Sequence, residues 1–213
     1  MERLGLAIRA AFPPLCPVCR KGGRGGAPAG GGPCADCLGS LAASPRGTGP
    51  APPGLAWVVS AFRHEGLPRA ALGAFKFDRR TALAAPLAGL LAARIGEQGE
   101  LGVLVPVPPS RLGRRFRGFD PASMIAAELA TRLGTGRPPE GVLVRVGLGG
   151  QRGHGRRDRL EGADRFEVRG RLTGPVVLVD DVLTTGATLS ACAHAIAAAG
   201  GGPVGAVTLT RRR

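Results

Sequence analysis

The chain has 213 residues, 44% of them apolar, with 29 Lys and Arg against 15 Asp and Glu for a net charge of +14. That length and apolar content exclude wholesale disorder and suit one domain of ordinary size with a small appendage. Only two of the basic residues are Lys (Lys21 and Lys76), there is no Tyr, and Gly and Pro number 36 and 19. The charge is therefore partly compositional bias, although a field of that size attracts polyanions and phosphorylated small molecules.

No membrane span is expected: the Ala/Leu-rich run Thr81 to Ala93 is interrupted by Pro86 and Gly89 and falls short of the ~20 residues required. The apolar stretch Leu4 to Ile8 is too short for a secretory signal, so a cytoplasmic location is expected.

In chain order, residues 1–43 read as a short N-terminal helix followed by a cysteine-rich ribbon. Cys16-x-x-Cys19 and Cys34-x-x-Cys37 are two knuckles 14 residues apart in a Gly- and Pro-rich segment that cannot build its own core. A two-residue spacer turns both thiolates of a knuckle toward one ion, and two knuckles complete a closed tetrahedral shell, so the four cysteines read as a structural Zn²⁺ site. Two redox dithiols are the alternative, but such a motif is expected beside a βαβ unit. Residues 44–54 (SPRGTGPAPPG) read as a linker. From residue 55 to 213 short β-like runs alternate with Ala/Leu-rich helical stretches. Trp57 to Phe62 predicts a strand, Leu67 to Phe77 a helix, and Thr81 to Ile95 a helix capped by Thr81. A strand is predicted over Val103 to Val107, then a helix over Pro121 to Leu133 with Asp120 as its cap, and a strand over Val142 to Val146. Between Gly147 and Arg171 the pattern lapses into a Gly- and Arg-rich segment, read as a loop or hood. Val176 to Val179 predicts a strand, Leu189 to Ala199 a helix, and Val204 to Leu209 a final strand. This alternation argues for an α/β fold with a mostly parallel sheet flanked by helices. Cys192, alone in an Ala-rich helix, reads as a small core residue.

The most informative segment is Val176-Val-Leu-Val-Asp180-Asp181-Val-Leu-Thr184-Thr185-Gly186-Ala187-Thr188-Leu189. Two carboxylates at the C-terminal end of a buried strand stand where open α/β sheets bind ligands. The Thr/Gly-rich turn after them opens a helix, whose backbone N–H groups and threonine hydroxyls form a cup for a phosphate. Acids above such a cup suit a sugar phosphate, because carboxylates accept hydrogen bonds from vicinal ribose hydroxyls. The G-x-G-x-x-G match at Gly200 to Gly205 follows a helix and precedes a strand, the reverse of a dinucleotide-binding context.

This run resembles the 5-phosphoribosyl-1-pyrophosphate (PRPP) signature of type I phosphoribosyltransferases. With the Cys₄ ribbon, Phe75-Lys76-Phe77, Pro106-Val107-Pro108-Pro109 and Arg117-Gly118-Phe119 in the same order, the chain resembles the competence protein F (ComF) family over nearly its whole length. The resemblance implies a type I phosphoribosyltransferase-like domain behind a zinc ribbon, and binding of PRPP with Mg²⁺. It further implies transfer of a phosphoribosyl group to an unidentified nitrogenous acceptor, and it carries the alternatives of a DNA-uptake factor working with single-stranded DNA and a helicase, or a PRPP-sensing regulator. Asp180, Asp181, Val182, Thr184, Thr185, Gly186, Ala187 and Thr188 would then bind PRPP. Pro108, Pro109, Arg111, Arg117 and Gly118 would form the pyrophosphate loop, with Arg114 and Arg115 in the same stretch, and Gln151 and Arg159 would lie in the hood. Asp180, Asp181 and Lys76 are the candidate catalytic residues; Lys76 reads equally as a snorkelling surface lysine. The chain departs from the family in Asp120-Pro121, where Asn-Gln is usual, and in Gly162, where Asn is expected.

Overall fold

The computed structural model describes residues 15–22, 30–96, 101–110, 113, 117–146 and 165–212. The expected N-terminal helix, Arg111, Arg114, Arg115, and the hood positions Gln151, Arg159 and Gly162 lie outside them. The described elements are α1 (Ala35–Ala42), β1 (Trp57–Arg63), α2 (Gly66–Lys76), a 3₁₀ turn (Thr81–Leu83), α3 (Ala84–Ile95), β2 (Val103–Pro106), α4 (Pro121–Leu133), β3 (Leu143–Val146), β4 (Arg165–Val168), β5 (Val176–Leu183), α5 (Ala187–Ala198) and β6 (Val204–Arg211).

Four strands form one sheet in the order β1-β6-β5-β2, every pair parallel. Crossovers between parallel strands carry helices onto both faces, which is why the strands read as continuous apolar runs. Alternation along β5 shows the division. Val177 and Val179 join a core with Phe75, Leu91, Ile125 and Leu129 from α2, α3 and α4, whereas Val176 and Leu178 join a second core with Leu189, Cys192 and Ile196 of α5. Cys192 is fully buried there. Among the described residues no helix is long and apolar enough to cross a membrane.

Three expectations are corrected. Thr81 does not cap an α-helix: a 3₁₀ turn covers Thr81–Leu83 and α3 begins at Ala84. Pro86 explains the shift, since a helix running from residue 81 would need its missing N–H, whereas a start at Ala84 puts Pro86 in the first turn, where N–H groups have no intrahelical partner. Part of the expected loop is a strand, β4, which pairs antiparallel with β3 in a separate two-stranded sheet whose Leu143 and Phe166 pack on the α5 side. β5 runs on to Leu183, so the acidic pair lies within the strand instead of beyond its end.

The segment read as a linker is bound to the domain. Gly47 bridges Ser60 of β1, Pro52 is buried, and the Pro50 carbonyl accepts from the Arg211 guanidinium at 2.8 Å.

Candidate functional site

The acidic pair is placed by strand register. Asp180 stands opposite Thr208 of β6, which stands opposite Ser60 of β1, and the two buried hydroxyls meet at 2.7 Å, so a polar row crosses the sheet toward Asp180. The Thr210 hydroxyl lies 2.9 Å from His64 Nδ1 and donates to the Asp181 carbonyl at 3.5 Å.

Lys76, the last residue of α2, brings its Nζ to 2.8 Å from Asp181 Oδ2, with the two side chains only 15% and 14% exposed. Its neighbours explain the placement. Phe75 is buried in the core, and its ring lies 5.7 Å from that of Phe119, so the Phe-Lys-Phe and Arg-Gly-Phe segments meet beside the acids. The Asp181 N–H donates to Asp180 Oδ1 at 2.7 Å. Burial and the adjacent Asp181 charge push the Asp180 carboxyl up to about 7, against the opposing pull of that N–H, Lys76 and Arg145.

After β5, Thr184 and Thr185 are exposed and the chain turns at Gly186, the N-cap of α5. Gly186 has φ +84°, and a Cβ there would lie 2.6 Å from Pro52 Cγ, so both conformation and packing require glycine. Thr185 Oγ1 accepts from the Ala187 N–H at 3.4 Å, orienting the turn at the positive end of the helix. Val182 packs against the core, away from the turn.

The loop after β2 starts beside the acids because Val107 N–H donates to the Val179 carbonyl at 2.9 Å. Its Pro108, Pro109 and Arg117 line one cavity of about 250 Å³ together with Lys76, Asp180, Asp181 and Thr188. Arg117 Nε is buried with no hydrogen-bond partner among the described residues. Gly118, at φ +73°, lies beside the Arg79 guanidinium and does not line the cavity. Asp120 caps α4, accepting from the N–H groups of Ala122 at 3.0 Å and Ser123 at 3.4 Å, with Pro121 at the first helical position. This accounts for the Asp-Pro departure locally. Arg145 on β3 is a site residue that the sequence reading misses: it donates from both Nε and a terminal nitrogen to the Pro108 carbonyl, at 3.2 and 3.0 Å, while stacking 4.7 Å over Phe166. A second cavity of about 590 Å³ adjoins the first, sharing Pro108, Pro109, Asp120 and Arg145 and reaching Leu143 and Val144 of β3.

The four ribbon cysteines gather as their spacing predicts. The Sγ atoms of Cys16, Cys19, Cys34 and Cys37 all lie within 4.8 Å of one another, and Cys19 and Cys34 are 3.9 Å apart. A tetrahedral zinc with bonds of about 2.3 Å spaces its sulfurs about 3.8 Å apart, so the donor set and its size fit that ion. Burial opposes ionisation of the Cys16 thiol, yet the N–H groups of Cys19, Cys34 and Val18 outweigh it and bring it down to about 6. Burial and the neighbouring thiols push Cys37 up. Val18 and Leu67 of α2 pack against the cluster, and Arg20 pairs with Asp78 just beyond α2 at 3.1 Å. The ribbon thus rests on the helix that carries Lys76.

No protein-family model matches the chain, and comparison with curated proteins finds no match.

Proposed function

We propose that this chain is a ComF-like member of the type I phosphoribosyltransferases that binds PRPP with magnesium and transfers the phosphoribosyl group to a nitrogenous acceptor. The observation that carries the reading is the single cavity in which an acidic pair, a lysine, an unsatisfied arginine and the first threonine of a helix converge. In this reading the 5′-phosphate occupies the Thr184 to Thr188 turn, where α5 presents its N-terminal N–H groups. The ribose hydroxyls donate to Asp180 and Asp181, and the pyrophosphate faces Arg117 across the Pro108–Pro109 loop. The carboxylates of Asp180 and Asp181 are the hard oxygens that would hold magnesium, which when bound would neutralise part of the pyrophosphate charge.

Transfer breaks the bond from ribose C1 to the pyrophosphate oxygen and forms one from C1 to the acceptor nitrogen; pyrophosphate departs and the acceptor proton is released. Positive charge develops on the ribose, which the two acids favour, while Arg117 holds the departing anion. Lys76 keeps Asp181 in place and offsets part of the paired negative charge. With its carboxyl at about 7, Asp180 is suited to exchange a proton near neutral pH. The adjoining cavity beside β3 offers the acceptor a partly apolar berth next to Arg145.

A role confined to single-stranded DNA has less support, since such binding draws on aromatic platforms and Phe77 is the one exposed aromatic among the described residues. The test is release of pyrophosphate from Mg²⁺-PRPP across a panel of nitrogenous heterocycles. Acceptor-dependent release that disappears in Asp180→Asn/Asp181→Asn supports transfer. Release by neither protein, despite binding of PRPP, leaves a binding protein and overturns the transferase assignment.

A further inference from the structure

A second concave site lies along the same carboxyl edge of the sheet, about 380 Å³ in volume and lined by Arg63, His64, Glu65, Arg69, Arg211 and Arg212. It is built where β1 and β6 end together and α2 begins. His64 N–H donates to the Arg211 carbonyl at 2.8 Å, Arg212 N–H donates to the Leu183 carbonyl at 2.9 Å, and the Arg211 guanidinium is held by the Pro50 carbonyl. Four arginines therefore line one hollow, the Arg211 guanidinium being turned to Pro50, with a single carboxylate, Glu65, which approaches only Arg63 and only to 3.9 Å. Clustered cations around a concavity attract an anion.

A second, independent feature points the same way. α2 opens into this hollow with Glu65 as an N-cap residue that makes no side-chain cap bond and with no acid in its first turn, and Arg69, whose N–H donates to the Glu65 carbonyl at 3.3 Å, follows that turn. A cation at the positive end of a helix is unfavourable, whereas an anion there is stabilised by both the N–H groups and the dipole. The positive potential reaches His64: burial, then Arg212, Arg69 and Lys76, lower the pKa of its imidazole.

We propose that this hollow is an oxyanion site for the phosphate group of a small phosphorylated molecule, separate from the cup at Thr184 to Thr188. Converging guanidinium forks match the several acceptor oxygens of a phosphate. A nucleic-acid strand fits less well, because the hollow is concave and none of its lining residues is Phe, Tyr or Trp. His64 of the hollow contacts the Thr210 hydroxyl, which also reaches the Asp181 carbonyl, so the hollow and the acidic pair share one chain of hydrogen bonds. The assignment holds whether or not the neighbouring cavity transfers phosphoribosyl groups.

Calorimetric titration of the full chain with inorganic phosphate and with adenosine monophosphate tests it, using Arg69→Ala/Arg212→Ala against Thr184→Ala/Thr185→Ala. Arg69 and Arg212 are exposed, so their replacement leaves the core intact, which circular dichroism checks. In the threonine background, which lacks two hydroxyls of the Thr184 to Thr188 cup, phosphate binding is expected to persist and to fall at least about 10-fold when Arg69→Ala/Arg212→Ala is added. No binding to the wild type, or a loss confined to the threonine variant, overturns the proposal. So does a single-stranded oligonucleotide that binds the wild type more tightly than either phosphate and depends on the same two arginines, since the hollow would then serve a polymer.

Discussion

Replacing Lys76 with Met removes a charge while keeping most of the stem, and the consequence follows from the geometry of the acidic pair. Lys76 Nζ sits 2.8 Å from Asp181 Oδ2 with both side chains about six-sevenths buried, and it also helps hold down the already raised Asp180. Removing one partner of a buried pair costs about 3–5 kcal/mol; residual solvent contact places this case at about 3 kcal/mol. With urea m-values of about 1–3 kcal/mol per M, the midpoint moves down by about 1–3 M. The sign with pH is fixed by Asp180. Its carboxyl titrates at about 7 in the folded chain and at about 4 unfolded, so the native state holds the extra proton between these values. Stability from this group is complete below pH 4 and is lost as pH rises through 7. The Lys76→Met loss is therefore larger at pH 8 than at pH 5, and Lys76→Met/Asp181→Asn recovers most of it. Urea titrations at both pH values decide the matter. Equal stability of Lys76→Met and wild type at pH 8, or a double variant no better than the single, would mean that Lys76 does not neutralise the Asp181 charge.

Cys16→Ser opens the thiolate shell, so metal analysis is expected to fall from about one zinc per chain to well below that; a wild type without zinc refutes the ribbon. Gly186→Ala forces a Cβ into a left-handed residue against Pro52, and thermal melts should show a loss of about 2 kcal/mol or more. Asp120→Ala removes the cap of α4 and should cost about 1 kcal/mol in chemical denaturation, with Asp120→Asn close to wild type.

Much of the architecture was legible because it rests on local chemistry. Val176 to Val179 could only be a buried strand, the Asp120-Pro121 pair wrote the start of α4, and the two cysteine knuckles wrote their own cluster. What escaped depends on partners distant in sequence. Arg165–Val168 alternates too briefly to announce a strand and becomes one by pairing with Leu143–Val146. Asp180 and Asp181 look like a strand end until β6 supplies Thr208 and Thr210 as neighbours. Arg145 carries no motif; it matters because β3 brings it to the Pro108 carbonyl. The arginine hollow draws on residues from Arg63 to Arg212, a convergence set by the parallel pairing of β1 with β6.

Asp180, Asp181 and the turn after them are proposed to bind PRPP. Isothermal titration calorimetry with PRPP and Mg²⁺ tests it most directly, on wild type and on Asp180→Asn/Asp181→Asn. Saturable binding to wild type is expected, tightening as pH rises through 7 and Asp180 ionises, with binding to the double variant weakened at least about 10-fold. Absence of binding to the wild type, or equal binding to both proteins, contradicts it.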